Sequence, residues 1–254
     1  MALFTDGIST IEDLLKQDAS VLNTAQIENI DLNQKLSLAQ QEVGIELTTL
    51  LQSSSTCDWQ FWLQPYPGLC NIVVTPPLHL WHVFHTLTMV YQDAYYNQLN
   101  DRYHSKRDQF AQLGKWATSK LIRTGLGIVS NPVAQGAPPQ LTAIPGGQTG
   151  GTYYASVSWL NSEGEEGQAG TASSLQITMG NALAVQTVNQ PGNARGWNVF
   201  VGTSPESLIQ QNPSALALDQ VWVQAAPLTT TGRAPGSGQA PNYLRPLPRL
   251  IQRG

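Results

Sequence analysis

Charge is what this sequence has least of. Asp, Glu, Lys and Arg make up 12% of its 254 residues, about half the usual share of near 25%. The net charge of −4 and a pI near 5.5 exclude binding of nucleic acid by bulk charge. Cysteine is nearly absent. Cys57 and Cys70 lack the paired CxxC spacing of a zinc site, and are read either as two free thiols or as one disulfide closing a loop. No run approaches the roughly 18 apolar residues needed to span a bilayer. The opening MALFTDGISTIEDLL has neither the basic nor the apolar region of a signal peptide, so the expectation is a chain made in a cytoplasm and used there or packaged into a particle.

What is present divides into two halves with different periods. Residues 1–131 read as helix. Ser9 or Thr10, followed by Glu12 and Asp13, marks a helix start with acids where the macrodipole favours them. Leu32, Leu36, Ala39, Val43 and Leu47 recur at three- and four-residue steps, predicting a second amphipathic segment. An aromatic loop is expected over 53–77, with Trp59, Phe61 and Trp62 either folding back over the helices or meeting another subunit. Pro76–Pro77 then starts a stripe running from Leu80 through Phe84, Tyr91, Tyr95, Leu99 and Tyr103 to Leu121 without an intervening proline. That spacing predicts one very long helix of about 45 residues, roughly 65–70 Å if unbroken. Such a rod requires neighbours along its length.

The chemistry changes after Asn131. Residues 132–139 read as a linker. Short alternating segments separated by Gly-, Asn- and Pro-rich turns fill 140–228, spaced as in an all-β sandwich of immunoglobulin-like or fibronectin-III-like type. In TYYASVSWL, Tyr153, Ala155, Val157 and Trp159 share one face, with Ser156 and Ser158 on the other. Residues 229–254 read as an extended basic tail carrying Arg233, Arg245, Arg249 and Arg253 and no acid. Residues 1–58 hold nine acids against Lys16 and Lys35, an asymmetry that suits head-to-tail contacts between copies or a solvated surface. The expected fold class is therefore α+β in two segregated domains.

Catalytic patterns are missing. There is no GxSxG, P-loop or GxGxxG fingerprint in a strand–turn–helix context. His79, His82 and His85 recur every third residue, so their rings fan round a helix, as interface or buried histidines would. Asp93, Asp101 and Asp108 lie about 11–12 Å apart along one stripe, too far for a shared proton or a two-metal site. Tyr153, Trp159, Trp197 and Trp222 are read as core, with sugar-binding aromatics as the alternative. The expectation is a protein that is not an enzyme and has no cofactor or metal.

Three stretches carry a resemblance. GTYYASVSWLNSEGEEGQAG with GWNVFVGTSPES is similar to the immunoglobulin-like modules on phage neck, tail and baseplate proteins. The helical half, with DAYYNQLNDRYHSKRDQF, resembles the head–tail connector (adaptor) family of tailed bacteriophages. That resemblance implies a structural virion protein assembled in the host cytoplasm. It implies a ring, commonly of twelve copies, beneath the portal protein and contacting tail or neck proteins, with a passage for DNA but no sequence-specific nucleic-acid or membrane binding. Ring contacts are then expected at Tyr95, Leu99, Arg102, Tyr103, Trp59, Phe61 and Trp62. Portal docking is expected at Arg233, Arg245, Arg249 and Arg253. The alternative is a tail or baseplate protein whose β domain binds host-surface glycans.

Overall fold

A computed structural model describes residues 1–54 and 67–245. The chain forms two compact units: Gly7–Ser130 with Pro241–Gly254, which is helical, and Met1–Asp6 with Asn131–Ala240, which is β. The chain thus passes between units at residues 6–7, 130–131 and 240–241.

The helical unit holds α1 (Ile11–Gln17), α2 (Val21–Glu28), α3 (Leu32–Ser54), α4 (Pro76–Gln98) and α5 (Asp101–Thr124). α1 starts where expected, with the Thr10 backbone N–H donating to Asp13 Oδ2 at 3.0 Å. The α3 stripe buries Leu32, Ala39, Val43 and Leu47. The span predicted as one long helix is two helices. α4 stops at Leu99, which caps it in the left-handed region at φ 50°. Asn100 then caps α5, its side-chain oxygen accepting from the Arg102 N–H at 3.0 Å. The two helices fold back antiparallel: Phe84 and Tyr91 both stack on Phe110 with centroids 6.3 and 5.8 Å away, and Tyr95 meets His104 edge-on at 5.2 Å. A 65–70 Å rod becomes a hairpin of helices near 35 Å each, and the rod's apolar stripe becomes the hairpin's own seam.

After α5 the chain turns at Gly125 (φ 99°) into β1 (Leu126–Ile128). Its antiparallel partner is β9 (Asn242–Leu244) from the far end of the chain. Gly127 permits that approach, since a Cβ there would lie 2.9 Å from Thr75 Cγ2 and 3.0 Å from Pro241 Cβ.

The β unit has two antiparallel sheets. One has the order β2-β5-β8, from β2 (Gln140–Pro145), β5 (Asn181–Gln186) and β8 (Trp222–Val223). The other has the order β4-β3-β6-β7, from β3 (Gly151–Leu160), β4 (Ser173–Ile177), β6 (Gly196–Gly202) and β7 (Ile209–Gln210). Tyr153, Ala155, Val157 and Trp159 of β3 share a core with Trp197, Val199 and Val201 of β6 and with Leu183 and Val185 of β5. Trp159 and Trp197 are register partners, both fully buried.

The stretch expected as a linker, 132–139, is built into this unit. Val133 belongs to the core and its N–H donates to Gln239 Oε1 at 2.7 Å. A Cβ on Gly136 would sit 1.9 Å from the Val157 carbonyl oxygen. The N-terminal segment joins the same unit: Leu3 and Phe4 are buried, and Asp6 accepts from the Gln135 N–H at 2.9 Å.

Leu99 yields a direct test of the hairpin turn. A leucine in the left-handed region is strained by about 1 kcal/mol or more, and glycine is not. Leu99→Gly is therefore expected to raise the denaturant midpoint by the equivalent of about 1 kcal/mol, whereas a leucine inside a continuous helix would lose about that much.

Candidate functional site

A dense polar cluster of the helical unit lies where the α1–α2 connection meets the hairpin. Asp18 Oδ2 accepts from the Tyr91 hydroxyl and from Lys106 Nζ, both at 2.5 Å. The Ser20 backbone N–H and hydroxyl donate to Oδ1 at 2.9 and 2.7 Å. Lys106 also donates to Ser20 Oγ at 2.7 Å and sits 5.0 Å from the Tyr91 ring centroid. Burial pushes the Asp18 carboxyl up, but the hydrogen bonds from Lys106, Tyr91 and Ser20 outweigh it and hold the group at about 2. For Lys106, burial pulls downward and the Asp18 contact raises the pKa beyond it. A serine nucleophile activated by lysine needs a neutral amine. This lysine is held charged, so the cluster fastens α1, α2, α4 and α5 together and has no activated nucleophile.

The three histidines diverge, each to a different partner. His79 Nε2 is 3.4 Å from Asp13, and His85 Nε2 is 2.7 Å from Glu42. His82, 1% exposed, has Nδ1 at 2.8 Å from Ser9 Oγ and Nε2 at 3.1 Å from the Leu36 carbonyl. A carbonyl only accepts, so Nε2 carries the proton and Nδ1 accepts from the Ser9 hydroxyl. Burial leads in lowering its pKa to about 4. Among the described residues no three His, Cys, Asp or Glu side chains gather to hold a metal, and no helix is long and apolar enough to cross a membrane.

In the β unit a second cluster centres on Glu166, which accepts from Ser158, from Arg233 and from Asn198 Nδ2, the last at 2.9 Å. Arg233 Nε donates to Gln210 at 3.0 Å, and its guanidinium lies 5.6 Å from the Phe200 ring centroid. Burial pushes Glu166 up, and the bonds from Arg233, Asn198 and Ser158 bring it below its ordinary value. The neighbouring carboxylate, Glu165, accepts instead from Gln239 and Asn161. The two therefore have separate partners, unlike an acid–base pair that shares a substrate bond.

The residues expected to act in assembly are scattered. Tyr103 is buried, its hydroxyl donating to Glu28 Oε1 at 3.1 Å. Tyr95 is half-buried between His104 and the Arg107 guanidinium. Leu99 and Arg102 are exposed at the hairpin tip, so Leu99 is a turn residue and not one packed along a rod. Arg233 is engaged within the β unit, and Arg245 is exposed just after β9. Trp59, Phe61, Trp62, Arg249, Arg253 and Cys57 lie outside the described residues. Trp159 and Trp197 are in the core, with Trp222 half-buried against it.

Not anticipated were the outward apolar residues Ile45 on α3 and Trp116 and Ile122 on α5, which are 67%, 49% and 42% exposed. A groove of about 550 Å³ opens between α4 and α5 beside Ile122, lined by Trp81, His85, Thr88, Gly114, Lys115 and Ile122. The signal was present in the helical period, which leaves Trp116 off the stripe that contains Phe110, Ala117 and Leu121. No family model matches the chain, and no curated protein matches it.

The buried histidine makes stability depend on pH. Its folded pKa, about 4, lies below the ordinary histidine value of 6.5, so the unfolded chain takes up a proton first as pH falls. The stabilisation is complete above pH 6.5 and is lost between 6.5 and 4. Denaturant unfolding should show a loss of about 2–3 kcal/mol from pH 7 to pH 4.5, and His82→Gln should flatten that slope.

Proposed function

We propose that this chain is a structural virion protein, a ring-forming head–tail adaptor joining a phage portal to the neck or tail. The helical unit assembles, and the β unit is an immunoglobulin-like or fibronectin-like module. The β reading is supported by the order β4-β3-β6-β7 facing β2-β5-β8 around one core.

The observation that carries the adaptor reading is the anchoring of the C-terminal segment. β9 pairs with β1 on the helical unit, and Arg249 and Arg253 follow Leu244 by five and nine positions. Arginines that follow an anchored strand in the sequence suit docking on carboxylates of a partner ring, where guanidinium forks bind bidentately. Arg233 is left out of that role by its bond to Glu166. The glycan-binding alternative loses Trp159 and Trp197, which are buried, and keeps the half-buried Trp222.

The test is attachment to purified portal rings, followed by co-sedimentation and negative-stain imaging. Arg249→Glu with Arg253→Glu should lower attachment at least tenfold while circular dichroism and thermal unfolding stay unchanged. Wild-type attachment by that variant would remove Arg249 and Arg253 from docking. An absence of rings in wild-type protein with or without portal would remove the adaptor reading.

A further inference from the structure

We infer that the outward face of α3 around Ile45 docks on the α5 face around Trp116 of a second copy of this chain. Single exposed apolar residues are ordinary on a protein surface. Here they come framed by opposite charge. Ile45 is flanked by Glu42 and Glu46, both exposed, and from Ser37 to Ser54 the helix has no basic residue. Trp116 and Ile122 are surrounded by Lys115, Lys120 and Arg123, all exposed, and from Gln109 to Thr124 the helix has no acid.

Residues 42, 45, 46 and 49 form one face of α3, and residues 115, 116, 119, 120, 122 and 123 span one broad face of α5 at 100° per residue. Lys120 lies 5.7 Å from the Trp116 ring centroid, so its charge travels with the apolar surface. Glu46, Lys115 and Arg123 make no ion pair among the described residues. In-chain pairing is already used elsewhere: Glu42 holds His85, and Asp18 holds Lys106.

An acidic–apolar face and a basic–apolar face on two helices of one unit define a heterologous contact, the kind that closes into a ring or runs on as a filament. Opposite potentials fix its register and disfavour like faces meeting. The beginning of the groove beside Ile122 gives an incoming apolar side chain a concave seat. The inference rests on the ring-forming reading for the existence of a copy-to-copy contact, and adds where that contact lies.

Charge exchange tests it on the full-length chain, with size-exclusion light scattering over a concentration series. Glu46→Lys and Lys120→Glu are both surface changes and should each weaken self-association at least tenfold, with unaltered helical content. The two together on one chain, or an equimolar mixture of the single variants, should restore it. If the wild type associates and the single variants do so equally well, this face is not the contact and the ring reading survives. If the wild type stays monomeric throughout, without portal and with it, both fail. If only Lys120→Glu has an effect, and that effect is loss of heparin or DNA binding, the α5 face takes a polyanion and the inference is overturned.

Discussion

The carboxylate of Asp18 governs the helical unit. Asp18 is the C-cap of α1 through its backbone N–H, and its carboxylate fixes the start of α2 through Ser20 and receives the Tyr91 hydroxyl from α4 and the Lys106 ammonium from α5. Taking a charge pair out of water is costly unless its remaining donors and acceptors are satisfied, and here both carboxylate oxygens are occupied. A chain with so few charges thus uses one of its ion pairs to hold α5 against α4 beside the stacked rings of Tyr91 and Phe110. With the hairpin closed, the apolar seam faces inward, and Ile45 and Trp116 are among the apolar side chains left outside.

The β unit solves a similar problem with main-chain proximity. Gly136 and Gly170 let backbones pass where a Cβ on either would lie about 2 Å from a carbonyl oxygen, 1.9 and 2.0 Å respectively. The segment 229–240 is tied down by polar side chains: Thr229 to Gln211, Arg233 to Glu166 and Gln210, and Gln239 to Glu165. Met1–Asp6 joins the same unit, and Pro241–Leu244 returns to the other. A fragment cut at the change of period, such as 138–230, would therefore lack Val133, Arg233 and Gln239.

Periodicity made much of this legible. The alternation of Tyr153, Ala155, Val157 and Trp159 marked a core-facing strand because a sheet side chain's direction depends only on parity. The α3 stripe was readable for the corresponding reason in a helix. The turn at Leu99 was not, because both arms of an antiparallel hairpin bury aromatics at helical spacing and the stripe continues in phase across the break. Only Asn100–Asp101, a cap followed by a first-turn acid, marked the boundary. The partners of Asp18, Arg233 and Gln239 lie 88, 67 and 74 residues away, and no local pattern encodes such pairings. Arg233 shows the consequence: in sequence it belongs to a basic tail, and in the fold it belongs to a half-buried carboxylate.

A spin-label distance between α4 and α5 tests the closed hairpin most directly. Labels placed at Leu80 and Lys120, in a chain whose Cys57 and Cys70 are replaced by serine, sit at the open ends of the two helices. Packed helices have axes 8–10 Å apart, so a label separation of about 20 Å or less is expected. A continuous helix would place the same positions about 60 Å apart, and a distance distribution centred there would contradict the account.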